Sequence, residues 1–165
     1  MESQLEKILT RSYKSQLIAY LTKHPEEFDE LLKLALSNKQ PYSWRGTWLL
    51  WSCMVKDDIR VKKHVSEIID SLLNRPDNQQ REILIVLQKL NIEEEHEGRL
   101  FNSCISIWES TSKQYSVRYN AFKLLLKIAK KYPELLNEVF SLAQSPYLDT
   151  FSMPVRKSLL RMISG

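Results

Sequence analysis

The chain has 165 residues, of which 43% are hydrophobic: enough for one ordinary domain and too apolar for a disordered segment. Its formal charge of +4 is mildly basic, which permits nucleic acid or acidic protein partners without demanding either. Only three glycines are present, Gly46, Gly98 and Gly165, so the glycine-rich phosphate loops of Rossmann and Walker type are excluded. The spacing of apolar residues predicts an opening helix from Gln4 to Leu21, then Glu26 to Ser37, Trp44 to Lys56, Ile59 to Leu73 and Gln79 to Leu90. It continues with Gly98 to Ser110, Ser116 to Lys131, Pro133 to Gln144 and Pro154 to Met162. Ser43, Asp77, Ser116 and Ser152 are the expected N-caps, and Pro154 suits a first turn. No segment alternates with period two, so no sheet is predicted.

The N-terminal run Met-Glu-Ser-Gln-Leu-Glu-Lys is polar and charged, unlike a signal peptide, and no apolar stretch approaches the ~18 residues of a membrane span. A cytoplasmic location is expected, with no membrane partner. Cys53 and Cys104 each sit among apolar residues outside any Cys-x-x-Cys pair, and free thiols are expected of them. His24, His64 and His96 are scattered, so neither a metal site nor a cofactor is expected. The acidic run Glu93-Glu94-Glu95-His96-Glu97 suits a loop leading into an acid-rich helix start.

The chain repeats itself. Pro25-Glu26-Glu27-Phe28-Asp29-Glu30-Leu31 is echoed by Pro133-Glu134-Leu135-Leu136-Asn137-Glu138-Val139, and the echo runs on through Leu34-Ala35-Leu36-Ser37 and Leu142-Ala143-Gln144-Ser145. Four arginines recur at intervals of about 36 to 38 residues, Arg45, Arg81, Arg118 and Arg156, each near the start of an apolar helical pattern. Three residues after each come Trp48, Leu84, Ala121 and Leu159; six after come Trp51, Leu87, Leu124 and Met162, on the same helical face. Each period therefore holds two helices, with an arginine opening the second.

The ~36-residue period, the paired helices and the starts Ser116-Val117-Arg118…Ala121…Leu124 and Pro154-Val155-Arg156…Leu159 resemble the HEAT repeat family, close kin of armadillo repeats. Trp44 and Gln80 depart from the family at the valine position. The resemblance implies an all-α fold: a short right-handed α-solenoid, or α-α superhelix, of helical hairpins. It spans residues 1–165 as one repeat domain, a leading helix followed by about three and a half pairs.

A cation in the first turn of a helix meets the positive end of the macrodipole, so each of the four arginines requires a compensating partner. Carbonyls at the end of the preceding helix or a carboxylate in the next repeat would serve, making the arginines a structural ladder. Trp44, Trp48 and Trp51 share one face and are expected to fill the core between hairpins, as is Trp108; stacking of nucleobases is the other use of such a cluster.

The resemblance implies that the second helices line a groove. Five residues after each arginine come Leu50, Val86, Lys123 and Arg161; nine after come Met54, Leu90 and Lys127. This groove would be apolar at one end, with Leu50 and Met54, and basic at the other. The basic end gathers Tyr119, Lys123, Lys127, Lys130, Lys131 and Arg161. Mixed character favours a protein or peptide partner and a non-catalytic interaction scaffold. The alternative is nucleic acid, by likeness to HEAT-like proteins that excise alkylated DNA bases. Trp48 or Trp51 with Asp57 or Asp58, together with the Lys123–Lys131 stripe, would then be the working parts. A homodimer through the C-terminal repeat would cover Val155 to Ile163. The string Ser152-Met153-Pro154-Val155-Arg156-Lys157-Ser158 is a little like the signature of fumarase-type lyases. Arginine and serine replace its lysine and asparagine, and a repeat boundary explains the same residues, so no catalytic residue is expected.

Overall fold

The computed structural model describes residues 1–144 and 146–165, and among them the chain is all helix and turn, with no strand. It divides into two compact units, Met1–Asn91 and Ile92–Gly165. Ser145, the last position of the echoed segment, lies outside the described residues.

The first unit opens with α1 (Gln4–Arg11) and α2 (Lys14–Lys23), where one continuous helix is predicted. Ser12 leaves the helical conformation at φ −114, ψ 154. A new start follows, in which the Gln16 side chain accepts the Tyr13 N–H. α1 carries a capping box: Ser3 Oγ accepts from the Glu6 N–H at 3.1 Å, and Glu6 returns the bond to the Ser3 N–H at 3.0 Å. A 3-10 turn at Pro25–Glu27 leads into α3 (Phe28–Leu36), followed by α4 (Tyr42–Cys53).

α3 and α4 form the tightest pair of the unit. Leu31, Ala35, Leu49 and Leu50 are buried at or near zero exposure. Each fully buried leucine contributes roughly 1.5–3 kcal/mol. Gly46 permits the close approach, since a Cβ there would lie 3.4 Å from the Ala35 nitrogen. Thr47 Oγ1 satisfies itself on Ser43 O at 2.8 Å within α4 and reaches Ala35 O on α3 at 3.3 Å. α1 and α2 pack on α4 from another side, and α7 (Asp77–Gln88) from a third.

The stretch predicted as one helix from Ile59 to Leu73 is two short ones, α5 (Ile59–Lys62) and α6 (Val65–Ser71), and a 3-10 turn at Leu72–Asn74. Asp58 caps α5 by accepting the Arg60 N–H, and the His64 N–H takes Val61 O in the tighter 3-10 pattern where the helix breaks. Ser43, Asp77 and Ser116 are not caps: the cap positions fall on Pro41, Pro76 and Gln114, placing the three residues inside the first turn. Ser152 does occupy a cap position, without a side-chain cap bond. Ser43 is wholly buried and its hydroxyl pairs with Ser37 Oγ at 3.0 Å.

In the second unit α8 (Glu94–Glu109) and α9 (Tyr115–Ala129) pack against each other, and α10 (Pro133–Leu142) packs on α9. Glu93 holds the N-cap position of α8, whose first turn carries Glu94, Glu95 and Glu97, as the acidic run implied. Trp108, Phe122 and Leu125 are fully buried. A 3-10 turn at Leu148–Thr150 precedes α11 (Met153–Ser164), which starts with Pro154 in its first turn and buries Leu159. Met153 and Leu160 remain exposed. Both cysteines are free thiols; Cys104 is fully buried and burial pushes its pKa up.

Candidate functional site

α4 is surrounded, yet one of its faces opens into a cleft of about 360 Å³ in the first unit. Trp44, Trp48 and Trp51 line it and are half-buried, whereas a closed core is the sequence expectation for them. The break at Ser12 borders this cleft. α1, α2 and the turn between them contribute Leu9, Ser12, Lys14 and Leu17 to the cleft and leave the indoles partly uncovered. α7 supplies Arg81 and Glu82.

The three indoles each carry a cation. Lys14 Nζ lies 4.9 Å from the Trp48 ring centroid, Arg45 Cζ 5.2 Å from that of Trp44, and Lys89 Nζ 5.7 Å from that of Trp51. Trp48 and Trp51 meet edge to face, 6.2 Å apart at 77°. The Trp51 indole N–H donates to Glu82, and Arg81 Nη1 donates to the same carboxylate at 2.5 Å. Glu82 is therefore fixed and neutralised, with its side chain 7% exposed. Arg45 Nη1 donates to Leu9 O at 3.2 Å, capping the end of α1, while its buried Nε has no partner among the described residues. Among the described residues no carboxylate pairs with Lys14 or Arg45. These are the two uncompensated charges of the cleft.

The four periodic arginines have different partners. Arg118 is 1% exposed and donates from Nε to Trp108 O at 2.8 Å and from Nη1 to Thr150 Oγ1 at 2.6 Å. Its guanidinium lies 4.3 Å from the Phe151 ring and 5.0 Å from that of Trp108, and burial lowers its pKa. Arg156 reaches Asp149 at 3.8 Å. Among the described residues Arg81 caps no carbonyl and turns to its neighbour Glu82 instead. The capping that the period assigns to Arg81 falls to Arg75, which the sequence reading missed. Arg75 donates to Leu36 O and Ser37 O, both at 2.6 Å, and to Asn38 Oδ1 at 2.8 Å. Gln79 adds a bond to Ala35 O at 2.8 Å. The open end of α3 is thus closed by side chains of the next helical pair.

Leu50 and Met54 do not line an open surface. They are 1% and 5% exposed, because α4 is packed on several sides and the positions counted from Arg45 fall on its inner faces. Val86 and Leu90 are likewise buried. In the second unit Lys123 and Tyr119 do come together, with Lys123 Nζ 5.0 Å from the Tyr119 ring and the Tyr119 hydroxyl 2.6 Å from Ser158 Oγ. Lys127 follows half-buried on the same helix, and Lys130 is exposed at the end of α9. Lys131 instead binds Glu97 at 3.1 Å, beside the Tyr132 hydroxyl at 2.8 Å from the same carboxyl group. Arg161 is exposed and reaches Lys157 O on its own helix at 3.4 Å.

Asp57 and Asp58 stand apart from the indoles. Asp58 is held by Arg60 at 2.7 Å and by the Val55 and Arg60 N–H groups; the Arg60 guanidinium, ahead of those bonds, keeps its carboxyl below the usual range. Asp57 accepts the Asn91 N–H at 2.9 Å and pairs with Lys62 at 3.2 Å. Neither residue lines the cleft. His24, Glu26 and Glu27 bring ligand atoms within 4.8 Å of one another, a cluster the scattered histidines gave no sign of. His24 already pairs with Glu26 at 3.1 Å, and Glu27 accepts the Tyr20 hydroxyl at 2.7 Å.

Paired amphipathic helices, carbonyl-capping arginines and the internal period define a helical-repeat protein. Residues 1–163 match the sequence model of the HEAT repeat domain, and the chain belongs to that family. No curated protein and no solved structure matches it. HEAT repeats are in general protein-interaction scaffolds.

Proposed function

We propose that this chain is a non-catalytic protein-interaction scaffold that holds a segment of a protein partner in the tryptophan cleft of its first unit. The observation that carries the reading is the cleft itself: three half-buried indoles beside two uncompensated cations. Half-buried tryptophan and arginine are the residue types that dominate binding energy at protein interfaces. The cleft also draws on α4 and α7, the second helices of their pairs, where the resemblance to HEAT proteins implies a binding groove. Its volume of about 360 Å³ falls within the range of pockets that bury a ligand.

The alternative, a DNA-base excision activity, requires an acid beside the indoles. Asp57 and Asp58 are engaged elsewhere, and the carboxylate that does meet Trp51 is neutralised by Arg81. Affinity capture with the full chain and with Trp48→Ala tests the scaffold reading, with thermal melts confirming that both are folded. The expected result is a nuclease-resistant protein retained by the wild-type chain and lost with Trp48→Ala. If Trp48→Ala unfolds, Lys14→Glu takes its place, because Lys14 is exposed. Retention of nucleic acid alone, abolished by nuclease, would refute the scaffold reading.

A further inference from the structure

We propose that the cleft recognises an acidic peptide segment in which a carboxylate side chain stands next to an aromatic or branched apolar one. The inference rests on the scaffold reading and names the chemistry of the partner.

The first support is the charge left over. Lys14, Arg45 and Arg81 bring three positive charges to the cleft, and Glu82 cancels that of Arg81. Lys14 and Arg45 are seated on Trp48 and Trp44. Resting on indoles, each cation keeps its remaining N–H donors for an incoming anion while losing part of its water shell. Arg45 cannot offer its side-on fork, because Nε is buried and Nη1 is committed to Leu9 O. Arg45 is left with its remaining Nη hydrogens for a ligand, and the Lys14 ammonium supplies the second cation. That suits one carboxylate better than an extended polyanion.

The second support is the apolar wall. Leu9, Leu17 and the indole edges line the same cleft, so a charged segment lacking an apolar side chain would leave that wall wet.

The third support is what the cleft refuses. Each indole already carries a cation on a face, and Trp48 meets Trp51 edge to face, so no parallel pair of rings is available to sandwich a base. Two uncompensated cations also give a small counterion-release drive compared with the many contacts of nucleic-acid binders.

Tryptophan emission, with acrylamide quenching, reads the cleft directly. Trp108 is 0% exposed in the second unit and serves as the silent reference. The full chain is titrated with four probes: a peptide rich in Glu and Asp around one Phe, the same peptide with Phe→Ser, its Lys-rich counterpart, and a single-stranded oligonucleotide of equal charge. The Phe-containing acidic peptide is expected to bind and to shield the accessible tryptophans. Phe→Ser should weaken it about tenfold, and Lys14→Glu in the protein about fivefold to tenfold, with an unchanged melting temperature. Tighter binding of the oligonucleotide, equal binding of the Lys-rich peptide, or a Lys14→Glu protein that binds as well as wild type would each overturn the inference. If no peptide binds while the Trp48-dependent protein capture persists, the proposed chemistry falls and the scaffold reading stands. If both are absent, both fall.

Discussion

Replacing Arg118 with alanine removes a guanidinium that closes the end of α8 and lies against a stacked pair of aromatic rings. Two of its bonds are short, 2.8 Å to Trp108 O and 2.6 Å to Thr150 Oγ1; a third contact, to Tyr147 O, is 3.5 Å and contributes little. Charge-assisted bonds are each worth about 1.5–3 kcal/mol. The cation–aromatic contacts add about 2 kcal/mol when desolvated. Against this stands the desolvation of a buried cation that has no carboxylate partner among the described residues, several kcal/mol in its own right. The balance is a loss of about 3 kcal/mol, or roughly 6–12 °C in melting temperature for a chain of this length. Arg118→Lys keeps the charge but not the planar fork and should recover only part of the loss. The assay is a thermal melt followed by near-ultraviolet circular dichroism, which reports on the packing of Trp108. An Arg118→Ala protein melting within about 2 °C of wild type would refute the carbonyl-capping account.

Gly98→Ala should stabilise the chain by about 0.8–1 kcal/mol in urea unfolding, because a Cβ in α8 at this position meets nothing within 4 Å. Arg75→Ala should be more destabilising than Arg81→Ala in the same assay. Arg75 closes two carbonyls at the end of α3, whereas Arg81 meets one adjacent carboxylate; equal losses would contradict this. Asp58 has a folded pKa depressed by Arg60, so its contribution is complete above its unfolded pKa near 4 and is lost as the pH falls through the folded value. Asp58→Asn should therefore lower stability at neutral pH and flatten the acid limb of a melt-versus-pH curve; an unchanged limb would assign acid sensitivity to other carboxyls. Maleimide labelling at neutral pH should modify half-buried Cys53 slowly, since burial raises its pKa, and leave Cys104 intact until the chain unfolds. Labelling of Cys104 in the native protein, read by mass spectrometry, would contradict its placement.

The helices and their pairing were legible in the sequence because apolar residues at three- and four-residue spacing must meet another helix to leave water. Arg118 was legible for a related reason: a cation near a helix start needs a partner, and the carbonyls of the preceding helix are at hand. Arg75 was not, because it stands ahead of Pro76 outside the period, and only the folded chain brings it to the end of α3. The break at Ser12 was hidden by apolar residues that continue at helical spacing across it. The break adjoins the site, since Ser12 lines the cleft. Trp44, Trp48 and Trp51 share a face by their spacing, but whether the face is closed or half-open depends on how α1 and α2 lie over α4. Leu50 and Met54 illustrate the same point in reverse. A helix packed on several sides has buried residues around much of its circumference, so a count from Arg45 cannot pick out an exposed strip.

The most direct test of the scaffold account is photo-crosslinking from within the cleft. Ser12 lines it, and among the described residues its side chain makes no hydrogen bond that a replacement would break, so a benzophenone amino acid at this position samples whatever occupies the site. The account predicts a nuclease-resistant protein adduct that maps to one acidic segment of the partner and disappears when Lys14→Glu is introduced. A nucleic-acid adduct, or protein adducts that Lys14→Glu leaves unchanged, would contradict it.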